Sequence, residues 1–218
     1  MKEGLTMKVR WFGHSCFQLR TEDGVRIVTD PYDPTVGTLP ADLTADIVTV
    51  SHQHFDHNYV TAVKGRYEMF TGPGAHEAAG VKVTGIHSWH DEQMGAKRGP
   101  NTIFVIEADG LRICHMGDLG AIPGKEELLS LQDLDYVMVP VGGTYTLDPQ
   151  GADRLISMIG PRVVIPMHYG MKPGLDKLIP VARYIEGKDD VIHAASVEYA
   201  MVKPVKKAGR PAYLLLKP

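Results

Sequence analysis

The stretch Val50-Ser51-His52-Gln53-His54-Phe55-Asp56-His57-Asn58 places three histidines and an aspartate within six residues. It follows Asp46 to Val50, an apolar and β-branched run that is typical of a buried strand. In an extended loop, side chains two residues apart point the same way, so His52 and His54 can reach one ion while Asp56 and His57 face a neighbouring position. Crowded histidines repel one another when protonated, and burial alone gives them no advantage. The stretch therefore predicts a metal site rather than a polar surface turn.

The donor types indicate which metal this site takes. Imidazole nitrogen with carboxylate oxygen suits zinc, with manganese, iron or nickel as alternatives. The sequence contains two cysteines, Cys16 and Cys114, and both lie in apolar strand-like segments where a thiol is usually a small buried hydrophobe. A structural cysteine site and a disulfide framework are both disfavoured. The metal site is expected to be catalytic.

Four residues do not complete two coordination shells, and further candidates follow other predicted strands. Asp118 follows Leu111 to His115 and is placed to bridge two cations, although an ordinary turn aspartate is the alternative. His168 ends a buried run beginning at Val163, and the alternative there is a satisfied core histidine. After Val81 to Ile86 come His87 and His90, and spacing alone does not choose between them.

The wider pattern predicts a mainly β first half and an alternating second half, with turns at Asp23-Gly24 and Asp109-Gly110. Asp148 is a candidate N-cap, Pro149 the first helical residue and Gly160-Pro161 the stop of one helix. The predicted strands are 7–12, 16–20, 25–29, 46–50, 67–70, 81–86, 102–107, 111–115, 136–139, 163–165 and 213–216, and the predicted helices are 124–131, 149–159 and 175–185.

Length and composition bound the class of protein. The chain has 218 residues, 44% of them hydrophobic and 22% charged, without a repeat or a long linker, and one domain over 1–218 is expected. A net charge of −3 disfavours nucleic acid as a partner. The N-terminus is too polar for a signal peptide, and no apolar run has the roughly 20 residues of a membrane helix. A cytoplasmic protein without a membrane partner is expected, and a homo-oligomer is compatible with the sequence.

Taken in chain order, these residues resemble the metallo-β-lactamase superfamily over nearly the whole chain. Trp11 to Cys16, Arg98 to Thr102 and Pro140 to Thr146 are similar to the small bacterial and archaeal members related to ascorbate-6-phosphate lactonase. The resemblance implies an α/β (α+β) fold, a four-layer αββα sandwich of two mixed β-sheets. It also implies a metal-dependent hydrolase with two divalent ions at one edge of the sheets.

The resemblance also implies roles for individual residues. His90 is favoured over His87, Asp118 bridges the metals, and Asp30 orients the ligand loop by hydrogen bonding. His14 borders the pocket or is a core residue, and His76, His115 and His193 are structural or surface residues. The implied ligands are His52, His54 and His90 for the first metal and Asp56, His57 and His168 for the second.

Two bridged cations lower the pKa of a shared water from about 15.7 to about 7, so a metal-bound hydroxide is the expected nucleophile. Asp56 and Asp118 are the carboxylates assigned to catalysis. The expected substrate is a small molecule with an ester, lactone or phosphodiester bond. An anionic group on it would suit Arg98 and Asn101, and the other candidate substrate-binding residues are Gly143, Thr144, Tyr145 and Tyr169. The alternatives are a nuclease of the same fold, a di-iron redox protein and a non-catalytic metal-binding protein.

Overall fold

Two β-sheets share one hydrophobic core in the computed structural model, which describes residues 6–170, 177–205 and 210–218. The strands are β1 (Met7–Gly13), β2 (Cys16–Arg20), β3 (Arg26–Thr29), β4 (Ile47–Val50), β5 (Glu68–Thr71), β6 (Gly74–Ala78), β7 (Val81–Trp89), β8 (Pro100–Ala108), β9 (Leu111–His115), β10 (Tyr136–Pro140), β11 (Val163–Met167), β12 (Val191–His193), β13 (Glu198–Met201) and β14 (Ala212–Leu215). The first sheet has the strand order β13-β1-β2-β3-β4-β5 and the second β12-β14-β11-β10-β9-β8-β7-β6. Both contain parallel and antiparallel pairs, which confirms the predicted pair of mixed β-sheets.

The core between the sheets follows from strand alternation. In β1, Met7, Val9 and Trp11 are buried whereas Lys8 and Arg10 are exposed, as the two-residue period of a strand requires. The buried set belongs to one cluster with side chains of the second sheet. In β4 all four residues are buried, because apolar side chains cover both of its faces.

The outer face of the first sheet carries a second, smaller cluster. Val28 and Val48 lie there, covered by Tyr32, Leu43 and Val63 from the long connections on either side of β4. The helical element in this part of the chain is a 3₁₀ turn over Val60–Ala62. Among the described residues, the outer layer of this sheet is therefore built mainly from loops.

Within the described parts of the chain, three α-helices follow strands of the second sheet: α1 (Lys125–Ser130), α2 (Pro149–Ile159) and α3 (Val181–Ile185). The Asp148 side chain accepts a hydrogen bond from the Gly151 amide at 2.7 Å, and Gly160 ends α2 at φ 55°, as predicted. The helix predicted from residue 175 is shorter than expected: residues 175–176 lie outside the described residues, and α3 begins only after Pro180. Across the described ranges, we find no helix with the length and apolar character needed to cross a membrane.

Three strands were not predicted, and each lies at or beside a sheet edge. β6 is rich in small and polar residues, and β12 is three residues long. β13 pairs with β1 across most of the chain length. Such strands lack the apolar alternation by which buried strands are recognised in a sequence.

Strand direction brings the polar strand ends together. β1, β3 and β4 run in one direction in the first sheet, and β7, β9, β10 and β11 do so in the second. The segments that follow these strands meet at one edge of the sandwich, and they hold all the predicted metal ligands.

Candidate metal centre

The ligand loop after β4 is a turn rather than the extended segment expected from the sequence. The amides of His57 and Asn58 both donate to the His54 carbonyl, at 2.9 and 3.1 Å. The turn separates the side chains into two groups, and His52 and His54 still lie in one of them, as predicted.

The first group contains His52, His54 and His90, whose ligand atoms lie within 4.8 Å of one another. The Ser51 hydroxyl lies 2.9 Å from His52 Nδ1, which leaves Nε2 facing the group. His90 is 2% exposed, whereas His87 is exposed and its ring contacts Trp89. The structure therefore places His90, and not His87, with the other candidate ligands.

The second group contains the predicted Asp56, His57 and His168, and the structure adds His14 to them. Asp30 lies behind this group: its Oδ2 is 2.8 Å from His57 Nδ1, and it accepts hydrogen bonds from the amide and hydroxyl of Ser51. With Nδ1 engaged, Nε2 of His57 faces the group. This is the orienting contact expected of Asp30.

Asp118 lies between the two groups. Its Oδ2 is 3.3 Å from His90 Nε2 in the first group and 3.2 Å from His168 Nε2 in the second. Its Oδ1 is 3.2 Å from His57 Nε2. One carboxylate thus touches both groups, which is the arrangement of a bridging ligand.

Asn101 supports Asp118 from behind, and this differs from the substrate contact predicted for it. The Asn101 side chain is 1% exposed, accepts from the Asp118 amide at 2.9 Å and donates to Ser88 and to the Met116 carbonyl. Gly117 has φ +55°, and a Cβ there would collide with Asn101 and Ser51. The loop needs both the amide and this glycine to bring Asp118 to the site.

Three residues of the centre have left-handed backbone conformations. His14, Asp30 and His168 have φ values of 51°, 41° and 51°. Such a conformation costs a non-glycine residue about 1–3 kcal/mol, and it persists where the surroundings impose it. All three follow strand ends, and the sharp reversal aims their side chains into the centre.

The charges within the centre are strongly coupled. Burial raises the pKa of Asp118, but the neighbouring His168 and His57 lower it well below its ordinary value. Burial lowers the pKa of His57, but Asp118 and Asp30 raise it well above its ordinary value. Burial, then His57, lowers the pKa of His52 to about 3. At neutral pH the protein without metal thus pairs a protonated His57 with ionised carboxylates, beside a neutral His52.

The donor set fits divalent metal ions. His52 Nε2 and Asp118 Oδ1 are buried and have no partner in hydrogen-bonding geometry among the described residues. Such orphaned atoms are costly unless a cation satisfies them. Ligand distances of about 2.0–2.2 Å imply about 3.3–3.6 Å between neighbouring donors in a tetrahedron. The measured separations around Asp118, 3.2 to 3.9 Å, are close to that spacing.

A cavity of about 560 Å³ adjoins the centre at His90. Arg98 and Arg154 line it, and no carboxylate of the described residues forms an ion pair with either guanidinium. Of the three acids that line the cavity, Asp91 and Asp148 accept hydrogen bonds from backbone amides, and Glu92 is exposed. A cavity of about 850 Å³ elsewhere, lined by residues of α2 and β14, contains none of the candidate ligands. Donor chemistry rather than size therefore locates the site.

The other predicted substrate contacts are placed differently from one another. Thr144 and Tyr145 line the cavity, and Arg98 lies over the Tyr145 ring at 5.5 Å. The Gly143 amide already donates to the Leu147 carbonyl at 3.2 Å. Tyr169 is 7% exposed, packs against Trp11 and is not among the residues that line the cavity.

Sequence reasoning missed Arg154 and the supporting role of Ser51. Arg154 is one of two charged residues on α2, and nothing in the sequence shows that this turn of the helix faces a cavity. His115 was expected to be structural, and it is fully buried with Nε2 2.9 Å from the Ser15 carbonyl. His76 stacks on Phe70, and His193 is exposed on β12.

Comparison with known proteins finds metal-dependent hydrolases that are similar to this chain. Residues 8–168 match the family model described as "Beta-lactamase superfamily domain". UPF0173 metal-dependent hydrolases of Thermococcus onnurineus and Pelotomaculum thermopropionicum are each 30% identical to the chain, covering 77% and 91% of it and 86% and 97% of the relatives. A crystal structure from Thermotoga maritima, of a proposed zinc-dependent hydrolase of the metallo-beta-lactamase superfamily, is 36% identical with a TM-score of 0.79. The match covers 96% of this chain and 98% of that one.

Proposed function

Because the chain belongs to the metallo-β-lactamase superfamily, among its metal-dependent hydrolases, we propose that it uses two divalent ions to hydrolyse a small anionic substrate. Zinc is the preferred metal, since the candidate ligands are imidazoles and carboxylates. The proposed bond is that of an ester, a lactone or a phosphodiester.

The position of Asp118 between two donor groups is the observation that supports two ions most directly. His52, His54 and His90 would hold one ion, and Asp56, His57 and His168 the other, with Asp118 shared. Bound divalent ions supply Lewis acidity and lower the pKa of a coordinated water to about 7. Both carboxylates have lowered pKa values, so they are ionised and available as ligands at neutral pH.

The chain's own residues hold the centre in place and position the substrate. Asp30 fixes the ring of His57, and Asn101 fixes the Asp118 loop, so both ligands are oriented before the substrate arrives. His54 is exposed at the open side of the centre. A substrate in the cavity beside His90 would have its reacting bond near this open side.

The anionic substrate is supported by the charges of the cavity. Arg98 and Arg154 line it without a carboxylate partner among the described residues, whereas two of its three acids, Asp91 and Asp148, are engaged by amides. A guanidinium binds phosphate or carboxylate through parallel hydrogen bonds. The cavity would therefore hold an anionic group beside the metals.

Hydrolysis is tested by metal analysis together with an activity panel of chromogenic esters, lactones and phosphodiesters. Wild-type, chelator-treated and metal-reloaded protein are compared with His54→Ala and the control His87→Ala. We expect activity to require metal, to be lost in His54→Ala and to persist in His87→Ala. A reloaded wild type with two ions per chain but no hydrolysis of any class would reject the proposal. Cleavage of nucleic acid alone would replace it with a nuclease.

The anionic preference is tested on the substrate class found in that panel, with matched charged and neutral members. A hydrogen bond to a charged group contributes about 1.5–3 kcal/mol, so Arg98→Ala and Arg154→Ala should each lower kcat/KM about 10- to 150-fold for the charged member. The neutral member should change little. Arg183→Ala, in an exposed ion pair on α3, is the matched control. Equal losses on both members would contradict the anionic preference.

A further inference from the structure

We infer that His14 is a direct ligand of the second metal ion, which makes that site His14, Asp56, His57 and His168 together with the shared Asp118. The inference rests on the two-metal centre of the proposed function. It departs from the sequence-based expectation, in which His14 only borders the pocket or is part of the core.

Distance is the first support. His14 Nε2 lies 3.1 Å from Asp56 Oδ2 and 3.2 Å from His57 Nε2. Asp56 Oδ2 and His57 Nε2 are 3.7 Å from each other. His14 is thus nearer to each of these two ligands than they are to one another. One ion within reach of both is also within reach of His14.

Ring disposition is the second support. The Nδ1 atoms of His14, His90 and His168 are all buried without a hydrogen-bond partner among the described residues. In each of these rings Nε2 is the atom that faces the centre. His14 is therefore oriented in the same way as the two histidines already assigned as ligands.

The backbone provides the third support. His14 has φ 51°, a conformation that L residues rarely adopt. Its carbonyl accepts hydrogen bonds from the His168 amide at 3.1 Å and from Trp11 Nε1 at 3.2 Å. These contacts hold the turn and tie His14 to a ligand of the second sheet. The fold thus holds His14 in a strained left-handed backbone conformation, and in that conformation its imidazole lies beside the other donors.

The competing role is that His14 only donates a hydrogen bond to Asp56 and never touches the ion. Losing an outer partner of that kind costs about 10- to 100-fold in metal affinity. Loss of a ligand should weaken the second ion by more than about 100-fold. A loss of about 100-fold in metal affinity would fit both a ligand and a hydrogen-bond donor to Asp56. A spectroscopic count of the histidines that bind metal is therefore also needed.

The experiment uses the full-length protein loaded with two Co²⁺ ions per chain and compares wild type, His14→Ala, His14→Gln and His87→Ala. Each imidazole that binds cobalt through one nitrogen gives a hyperfine-shifted N–H resonance in the proton NMR spectrum. We expect six such histidines in the wild type, three from each group. Both His14 variants should show one fewer, retain the first ion and bind the second more than about 100-fold more weakly. His87→Ala should match the wild type.

Five cobalt-bound histidines in the wild type, or an unchanged number in the His14 variants at full loading, would overturn the assignment. Retention of the first ion shows that a variant has folded. If neither His14 variant folds, the wild-type count of six or five decides by itself. A wild type with six bound histidines and no hydrolytic activity would reject the proposed reaction and leave the ligand assignment intact.

Discussion

Asp118 and Asp135 are buried carboxylates at opposite ends of the same parallel strands, and their surroundings differ. Asp135 precedes β10 and is fully buried, with Arg162 Nη1 at 3.0 Å from Oδ1 and Lys203 Nζ at 2.6 Å from Oδ2. The Arg112 amide also donates to it, at 2.9 Å. Asp118 follows β9 and is 2% exposed, but its neighbours are histidines, and its Oδ1 lies 3.2 Å from His57 Nε2 without the geometry of a hydrogen bond.

The difference shows how a structural carboxylate is distinguished from a metal ligand. Asp135 is neutralised by permanent cations of the chain itself, so the fold needs nothing more at that end. Asp118 faces imidazoles, which serve equally as neutral metal donors, and one of its oxygens has no hydrogen-bond partner. Both carboxylates are buried to a similar extent, so their neighbouring side chains, and not their burial, distinguish the metal ligand from the structural residue.

Removing Asp118 should have the largest effect. Asp118→Ala takes a shared ligand from both groups, so we expect less than one metal ion per chain after gel filtration, by elemental analysis. The loss of metal catalysis should cost about 4 kcal/mol or more in barrier, which is about 1,000-fold in rate. Asp135→Ala is the matched control and should keep its metal. An Asp118→Ala protein with wild-type metal content would mean that Asp118 does not bridge.

Removing Asp135 should instead affect stability. Asp135→Ala leaves Arg162 and Lys203 without their carboxylate, and we expect a loss of about 3 kcal/mol in the free energy of unfolding, measured by urea denaturation. This value is at the lower end for buried pairs, because the Lys203 side chain is 58% exposed. Asp189→Ala, in an exposed pair with Arg210, should cost less than about 1 kcal/mol. If folded Asp135→Ala protein lost its metal, the assignment of Asp135 to stability and Asp118 to metal binding would be wrong.

Changing Asp30, which contacts a ligand but is not one itself, should have a smaller effect on metal binding. Asp30→Asn weakens the contact that orients His57, and the second ion should bind about 10- to 100-fold more weakly, measured by competition with a chromogenic chelator. Asp46→Asn changes a carboxylate at the opposite end of the first sheet, where Arg26 is its partner, and should leave metal affinity unchanged. Equal affinities for both variants would show that Asp30 supports only the fold.

Most of the candidate site could be predicted from two features of the sequence: which residues are able to bind a metal, and where the buried strands end. Long apolar runs such as Ile47 to Val50 and Val163 to Met167 mark central strands, so the edge where the ligands meet followed from the sequence. The choice of His90 over His87 depended on family resemblance, because both follow the same run. The edge strands β6, β12 and β13 were missed because they have few buried side chains.

Long-range placement is what could not be predicted. His14 is 42 residues from Asp56, and its position beside Asp56 depends on a left-handed turn and on the order β1-β2-β3-β4 in the first sheet. Asn101 is a buried support rather than a substrate contact because β8 places its amide behind the Asp118 loop. A sequence shows which side chains are able to bind a metal or a substrate, but only the packed fold shows which of them face the site.

The smallest expected effect is the number of protons released when metal binds, which tests the charges at the end of the strands where Asp118 lies. Burial lowers the pKa of His57, but Asp118 and Asp30 raise it well above 6.5, so the metal-free protein holds a proton there above the pH at which an ordinary histidine loses it. Binding of an ion at Nε2 requires neutral imidazole, so loading should release about one proton per chain from His57, besides the proton that a metal-bound water loses. Calorimetric titration with zinc in two buffers of different ionisation enthalpy measures this release.

Asp30→Asn removes one of the carboxylates that hold the proton on His57 and should reduce the proton release, whereas Asp135→Ala should not. A binding enthalpy independent of buffer in the wild type would show that His57 is already neutral, and that the carboxylates around it do not create the charge imbalance that distinguishes this end of the sheets.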